Sequence, residues 1–262
     1  MVKPRRVVQV KIIGGHGGVT KNYSATSYLI DESLLIDAGS VASGLDIEDQ
    51  LKIDHILISH SHLDHTKDLA FICDNCFGLK DKPFEVYTHK TVNKAIKDHL
   101  FNETIWPDFS LLPTKEKPTM RFNSIPAEKE IKLGEYKIMP VHVAHPGDAM
   151  GFIVEKGDVA ILFTQDTKAT ERIWEVGKKY KNLKAIFTEV SFPNKLQTVA
   201  DLSDHHPPAT MKEELKKMPK EVPVYLGHLK PNYQEELIQE ITALKEDRLH
   251  IMYADDVRFH FD

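Results

Sequence analysis

The chain has 262 residues, 41% of them apolar, and a formal net charge of −5, which suits one large domain with a substantial core and no need of staples. The acidic balance argues against a protein that coats nucleic acid, since such proteins show a basic face, and no apolar run reaches the length of a membrane span. The opening Met1-Val2-Lys3-Pro4-Arg5-Arg6 is too short and too interrupted for a secretory leader, so the expected location is the cytoplasm, with residues 1–262 forming a single domain.

Runs rich in Val, Ile, Leu and Phe predict strands over 7–13, 27–30, 34–37 and 54–58. Between the first two lies Gly14-Gly15-His16-Gly17-Gly18, whose glycines let backbone N–H groups approach an anion or let a loop fold tightly under a site. The run lacks the Lys and Ser/Thr of a P-loop, and His16 is a candidate substrate contact. Directly after Ile56-Leu57-Ile58 comes Ser59-His60-Ser61-His62-Leu63-Asp64-His65. Three imidazoles and a carboxylate crowded at the end of a buried strand are costly to fold around unless they bind something, and they suit zinc or a similar first-row divalent ion. Alternating residues point the same way, so His60 and His62 can reach one ion, and the turn that follows can send Asp64 and His65 to a second.

A helix is predicted over 68–76; its Cys73 and Cys76 form a lone C-x-x-C, read as semi-buried thiols because two further zinc ligands are missing nearby. A strand at 85–88 and a helix at 91–100 follow. The stretch 109–124, with Pro113 and Pro118, reads as a surface loop whose Lys115, Lys117 and Arg121 form a solvated rim. Strands at 136–143, 150–155 and 159–163, a helix at 170–178, a strand at 185–188, a helix at 208–217, a strand at 222–226, a helix at 234–244 and a strand at 249–253 complete the alternation. Three of these strands run into further metal-liking side chains: His145 (with His142 as a competitor), Asp166 and His228. Strand ends gathered along one sheet edge would converge these side chains in a rigid frame.

The order H-x-H-x-D-H, then His, then Asp, then His resembles the metallo-β-lactamase superfamily. The resemblance implies a four-layer α/β/β/α sandwich with a dinuclear site at the edge of its two sheets. One ion would take His60, His62 and His145, the other Asp64, His65 and His228, with Asp166 bridging. His145 is preferred to His142 because it stands six residues before Gly151, as in the superfamily's phosphodiesterase branches. The segment His99-Leu100-Phe101-Asn102 with Ile105-Trp106-Pro107-Asp108, the segment Thr188-Glu189-Val190-Ser191-Phe192-Pro193-Asn194, and Gly227-His228-Leu229-Lys230-Pro231 are similar to class II cyclic-nucleotide phosphodiesterases, as are Thr26–Ile30 and the following Ile36-Asp37-Ala38-Gly39-Ser40. Two departures stand out: Asp68 replaces a family glycine, and His205-His206-Pro207-Pro208 replaces H-L-T-P.

That resemblance implies two divalent ions, zinc first with manganese or iron as alternatives, and hydrolysis of a 3′,5′-cyclic nucleotide to a nucleoside 5′-monophosphate by a hydroxide bridging the ions. His205 is the candidate proton donor to the leaving 3′-oxygen, with His206 as its rival. Glu189 would orient it, and Asp64 is counted with these two at the chemistry. Asp37 is expected to hydrogen-bond an imidazole from behind. Thr164 and Thr167 are candidates for holding Asp166, with a turn hydroxyl as the plainer use, and Trp106 and Phe109 are aromatic faces for a purine or for the core. Cyclic AMP and cyclic GMP fit equally, and a homodimer stays open. The competing readings are a tRNA 3′-processing endonuclease, against which the acidic surface argues, a thioester or lactone hydrolase, and a non-catalytic metal-containing nucleotide sensor.

Overall fold

Leu34 and Ile36 join one buried cluster while Leu35 between them joins another, so this short apolar strand buries both faces. That rule, repeated along the chain, generates the architecture. The computed structural model describes residues 7–262; the 1–6 segment, read above as no secretory leader, lies outside the described residues. The strands are β1 (Val8–Gly14), β2 (Ser27–Ile30), β3 (Leu34–Ile36), β4 (His55–Leu57), β5 (Phe84–Thr88), β6 (Met120–Ser124), β7 (Ile131–Leu133), β8 (Tyr136–His142), β9 (Met150–Lys156), β10 (Val159–Phe163), β11 (Leu183–Glu189), β12 (Val224–Gly227), β13 (Leu249–Ile251) and β14 (Val257–Phe261). They form two seven-stranded sheets, ordered β14-β1-β2-β3-β4-β5-β6 and β13-β12-β11-β10-β9-β8-β7. Both sheets are mixed: β3 to β6 run parallel in one and β10 to β13 in the other.

Three apolar clusters fill the spaces between four layers. Val10, Ile12, Tyr28, Ile161, Phe163 and Phe187 pack between the two sheets. The helices Asp68–Asn75 and Lys90–His99 cover the outer face of the first sheet through Leu69, Ile72, Val92 and Ile96. Arg172–Gly177, Pro208–Glu214 and Gln234–Ala243 cover the second through Trp174, Met211, Leu237 and Ile241. The expected α/β/β/α sandwich is the observed fold. Among the described residues no helix is long and apolar enough to cross a membrane.

The differences from expectation are local. The 109–124 stretch ends in β6, which pairs in parallel with β5 and buries Met120; the prolines before it masked a short edge strand. β7 and β14 are additional strands: β7 sets Lys132 between Ile131 and Leu133, and β14 sets Arg258 and His260 among apolar residues of which Phe259 and Phe261 pack against the inter-sheet core. Cys73 and Cys76 are free, buried thiols, as expected. Phe109 is buried and Trp106 packs against the same cluster, so both serve the core. Asp68 opens a helix in ordinary right-handed backbone and accepts the N–H of Ala42 (2.8 Å), so the loop needs no glycine there.

Candidate metal centre

Parallel strands deliver their carboxyl ends to one edge, and the sequence places its polar residues just beyond those ends. After β4 come Ser59 to His65, after β10 Gln165 and Asp166, after β11 Ser191, and after β12 His228. His145 lies in the loop between β8 and β9. The seven expected ligands meet there. His60, His62, His145 and Asp166 offer ligand atoms within 4.8 Å of one another, as do Asp64, His65 and His228. Asp166 Oδ2 stands between the two groups, 3.2 Å from His65 Nε2, 3.3 Å from His228 Nε2, 3.7 Å from His60 Nε2 and 4.0 Å from His145 Nε2. Asp64 Oδ2 is 3.3 Å from His228 Nε2. His142 stays outside, exposed and edge-on to His89.

The outward nitrogens of the imidazoles are engaged from behind. His65 Nδ1 donates to Asp37 Oδ2 (2.6 Å), as expected of Asp37. Ser59 Oγ donates its one proton to Asp37 Oδ2 (2.8 Å) and therefore accepts from His60 Nδ1 (2.9 Å). His145 Nδ1 donates to the Asp204 carbonyl (3.0 Å). Ser191 Oγ donates to Glu189 and accepts from His228 Nδ1 (2.8 Å). With Nδ1 committed in all four rings, the Nε2 atoms point inward. His60 Nε2, His65 Nε2 and Asp166 Oδ1 are buried with no hydrogen-bond partner. Buried polar atoms are costly when unpaired, and inward lone pairs backed by hydrogen bonds are the donor set that divalent metals take. The residues fit a metal.

Electrostatics agree with that purpose. Burial drives the His60 imidazole well below its ordinary range, keeping it neutral. Burial also opposes charge on His65, but Asp166 and Asp37 outweigh it and hold the ring well above the ordinary range. Asp166 resists ionisation through burial, yet His228 and His65 hold it well below the carboxylate range. Asp64 is likewise held low against its burial by the hydrogen bond and charge of His228 and by His65.

His205 sits beside this group: its ligand atom falls within 4.8 Å of those of Asp166 and His228, and its Nδ1 donates to Glu189 Oε1 (2.6 Å). Burial disfavours its charge, but Glu189 raises it above the ordinary imidazole range. His206 faces elsewhere, donating Nδ1 to Thr210 Oγ1 (2.8 Å) with no exposed surface. Thr164 and Thr167 do not hold Asp166; their hydroxyls donate to Thr188 or to neighbouring carbonyls. His16 is fully buried, which removes it as a substrate contact. Its glycine-rich loop does fold under the site, for a Cβ on Gly17 would lie 2.7 Å from the His228 ring.

Sequence reasoning gave no role to Ser59, Gln165, Ser191 or Asp204. Gln165 Nε2 donates to Asp37 Oδ2 (2.5 Å). Each lies one or two residues from an identified site residue, and that adjacency was the available signal. Asp37, Gln165 and His228 also share a left-handed backbone, with φ of 56°, 55° and 59°. Non-glycine residues pay of order 1–3 kcal/mol for that conformation, so it persists where surrounding contacts over-determine it.

Comparison with known proteins agrees with the geometry. A "Probable 3',5'-cyclic-nucleotide phosphodiesterase" of Yersinia pestis is 26% identical over 281 aligned residues, covering 87% of this chain and 79% of that one. The structure of unliganded yeast PDE1 superposes with a TM-score of 0.82 at 16% identity, covering 98% of this chain and 99% of that one. Human tRNase Z, short form, superposes at 0.67 with 16% identity, covering 96% and 98%. The beta-lactamase superfamily domain matches residues 34–250, most of the chain and five of the strand ends that build the cluster, and on that match the chain belongs to the beta-lactamase superfamily.

Proposed function

We propose that the chain is a metal-dependent phosphodiesterase acting on 3′,5′-cyclic nucleotides, with the 262 residues working as one catalytic unit. The observation that carries this reading is the set of four imidazoles whose Nδ1 atoms are held from behind around a central Asp166. His60, His62 and His145 would hold one divalent ion, and Asp64, His65 and His228 a second, with Asp166 shared. Such ions, zinc first, supply Lewis acidity toward phosphoryl oxygens and an acidified water at neutral pH.

The chain's own residues do the rest. The Nδ1 proton of His205 is committed to Glu189, which leaves Nε2 to carry a proton to the departing 3′-oxygen. Glu189 is itself fixed by the backbone N–H of Thr167 (2.9 Å) and the Ser191 hydroxyl, so the imidazole has one orientation. His62, the exposed member of its group, marks the side from which a small anionic substrate enters. The relatives named as cyclic-nucleotide phosphodiesterases support the substrate class.

The test is metal analysis of purified protein together with turnover of cyclic AMP, cyclic GMP, bis(p-nitrophenyl) phosphate and a precursor tRNA, each with and without chelator. Chelator-sensitive release of a 5′-monophosphate is the expected result. Cleavage of the precursor tRNA alone would replace this reading with the endonuclease one.

A further inference from the structure

The left-handed His228 is framed by a loop distant in sequence, and that loop is tied to the far end of the chain. Gly15 O accepts the His228 N–H (2.6 Å), and Gly17 N–H donates to Leu229 O (3.2 Å). Lys230 Nζ donates to Gly17 O (2.8 Å), closing the other side. Gly17 lies so near the His228 ring that no side chain fits between them. The loop is in turn gripped by Asp255, in the connection between β13 and β14. Asp255 Oδ1 accepts the N–H of Gly15 (3.2 Å) and Oδ2 that of Ser24 (2.9 Å). His16 Nδ1, fully buried, is 3.3 Å from the same carboxylate. Flanking backbone bonds anchor the connection: Met252 N–H to Leu226 O (2.9 Å) and Asp256 N–H to Ile12 O (2.7 Å).

We propose that Asp255 is a positioning residue for His228, acting through the 14–18 loop; this rests on His228 being a metal ligand. One carboxylate fixes the N–H of Gly15, whose carbonyl fixes the N–H of His228, so the path from Asp255 to the ring crosses a single residue. Both the loop and Asp255 fall outside the 34–250 range of the superfamily match, so the support comes from parts of this chain that the family pattern does not describe. A residue that only closed the fold would influence the two halves of the metal cluster alike. Asp255 bonds Gly15 and Ser24 and lies beside His16, and the loop's own bonds run on to His228 and Leu229, in the half of the cluster that holds His228.

The experiment is titration of the metal-free full chain with Co²⁺, followed by its absorption bands, with the melting temperature recorded in parallel. Wild type, Asp255→Asn, Asp255→Ala and Gly17→Ala are compared. The expectation is two uptake steps in wild type and a loss of about 10–100-fold in one step only for Asp255→Ala, the range seen when a metal ligand's outer support is removed. Asp255→Asn keeps an oxygen for Gly15 and should recover part of that loss, and Gly17→Ala, which forces the His228 ring aside, should weaken the same step. Unaltered steps in every variant, or both steps weakened together with the melting temperature, would overturn the proposal. If Asp255→Ala does not fold, Asp255→Asn and Gly17→Ala decide on the same criterion. A wild type that takes up no cobalt overturns the metal reading and this link with it.

Discussion

The two sheets build the cluster in different ways. The first contributes His60, His62, Asp64 and His65 from one continuous stretch after β4, whereas the second contributes His145, Asp166 and His228 from three separate loops. A continuous stretch needs only the geometry of an extended segment and one turn to aim its side chains. Three loops need a sheet whose strands are in register, so the second half of the site is a consequence of tertiary structure. One half is therefore local chemistry, and the other is assembled by the fold.

The two halves meet at Asp166. Asp166→Ala removes the carboxylate that faces four imidazoles within 4.0 Å and leaves their inward nitrogens without a shared anion. Turnover should fall below detection and the protein should be purified with its metal depleted, measured by elemental analysis. An active, metal-replete Asp166→Ala protein would mean that the halves function separately.

His205→Ala should come next, because it removes the proposed proton carrier and leaves all seven expected metal ligands in place. Loss of general acid help costs typically ~10²–10⁴-fold in kcat, with metal content at the wild-type level. Metal loss equal to that of Asp166→Ala would instead make His205 a ligand, the role its position near Asp166 and His228 also permits.

The same division explains what the sequence made legible. His60 to His65 stand out because four metal-liking side chains in so short a span have no cheap structural use. His145, Asp166 and His228 could be ranked only through the resemblance, since a single His or Asp after a strand is ordinary. Asp37 was found by the same route. Ser59, Gln165 and Ser191 escaped because a serine or glutamine beside a strand end has many uses, and only three-dimensional proximity shows the hydroxyl of Ser191 between Glu189 and His228. In the fold, long apolar strands and amphipathic helices registered, while β6, β7 and β14 did not. Each sets charged or polar side chains among its apolar ones, as in Met120-Arg121-Phe122-Asn123 and Val257-Arg258-Phe259-His260, and its pairing is decided by partners elsewhere in the chain.

Asp37 stands behind the first half and reaches into the second. Its carboxylate receives His65 Nδ1, the Ser59 N–H and hydroxyl, and Gln165, so it couples the continuous stretch to the loop carrying Asp166. Removing it in Asp37→Ala should weaken metal binding by about 10–100-fold, read by competition with a chromogenic chelator, with a smaller fall in kcat once metal is saturating. Asp37→Asn should recover little, because an amide has one accepting oxygen, and its NH2 would face a donor where the second carboxylate oxygen stood.

The smallest effect is expected beside one of the largest. His206 neighbours His205 in sequence, yet its Nδ1 is spent on Thr210 and its ring is sealed from solvent outside the cluster. Burial lowers its proton affinity, so the fold favours the neutral ring and acid that charges it works against the fold. A depressed imidazole adds stability above its unfolded value that drains away as pH falls below that value, so the His206 contribution should fade under acid and vanish in His206→Ala. That variant should lose on the order of 1–3 kcal/mol for the buried hydroxyl and packing left behind, measured by urea denaturation, while kcat stays within about threefold of wild type, well short of the loss a proton carrier would cause. A collapse of kcat in a stable, metal-loaded His206→Ala protein would exchange the roles of the two neighbours, and Glu189 would then be bonded to a bystander.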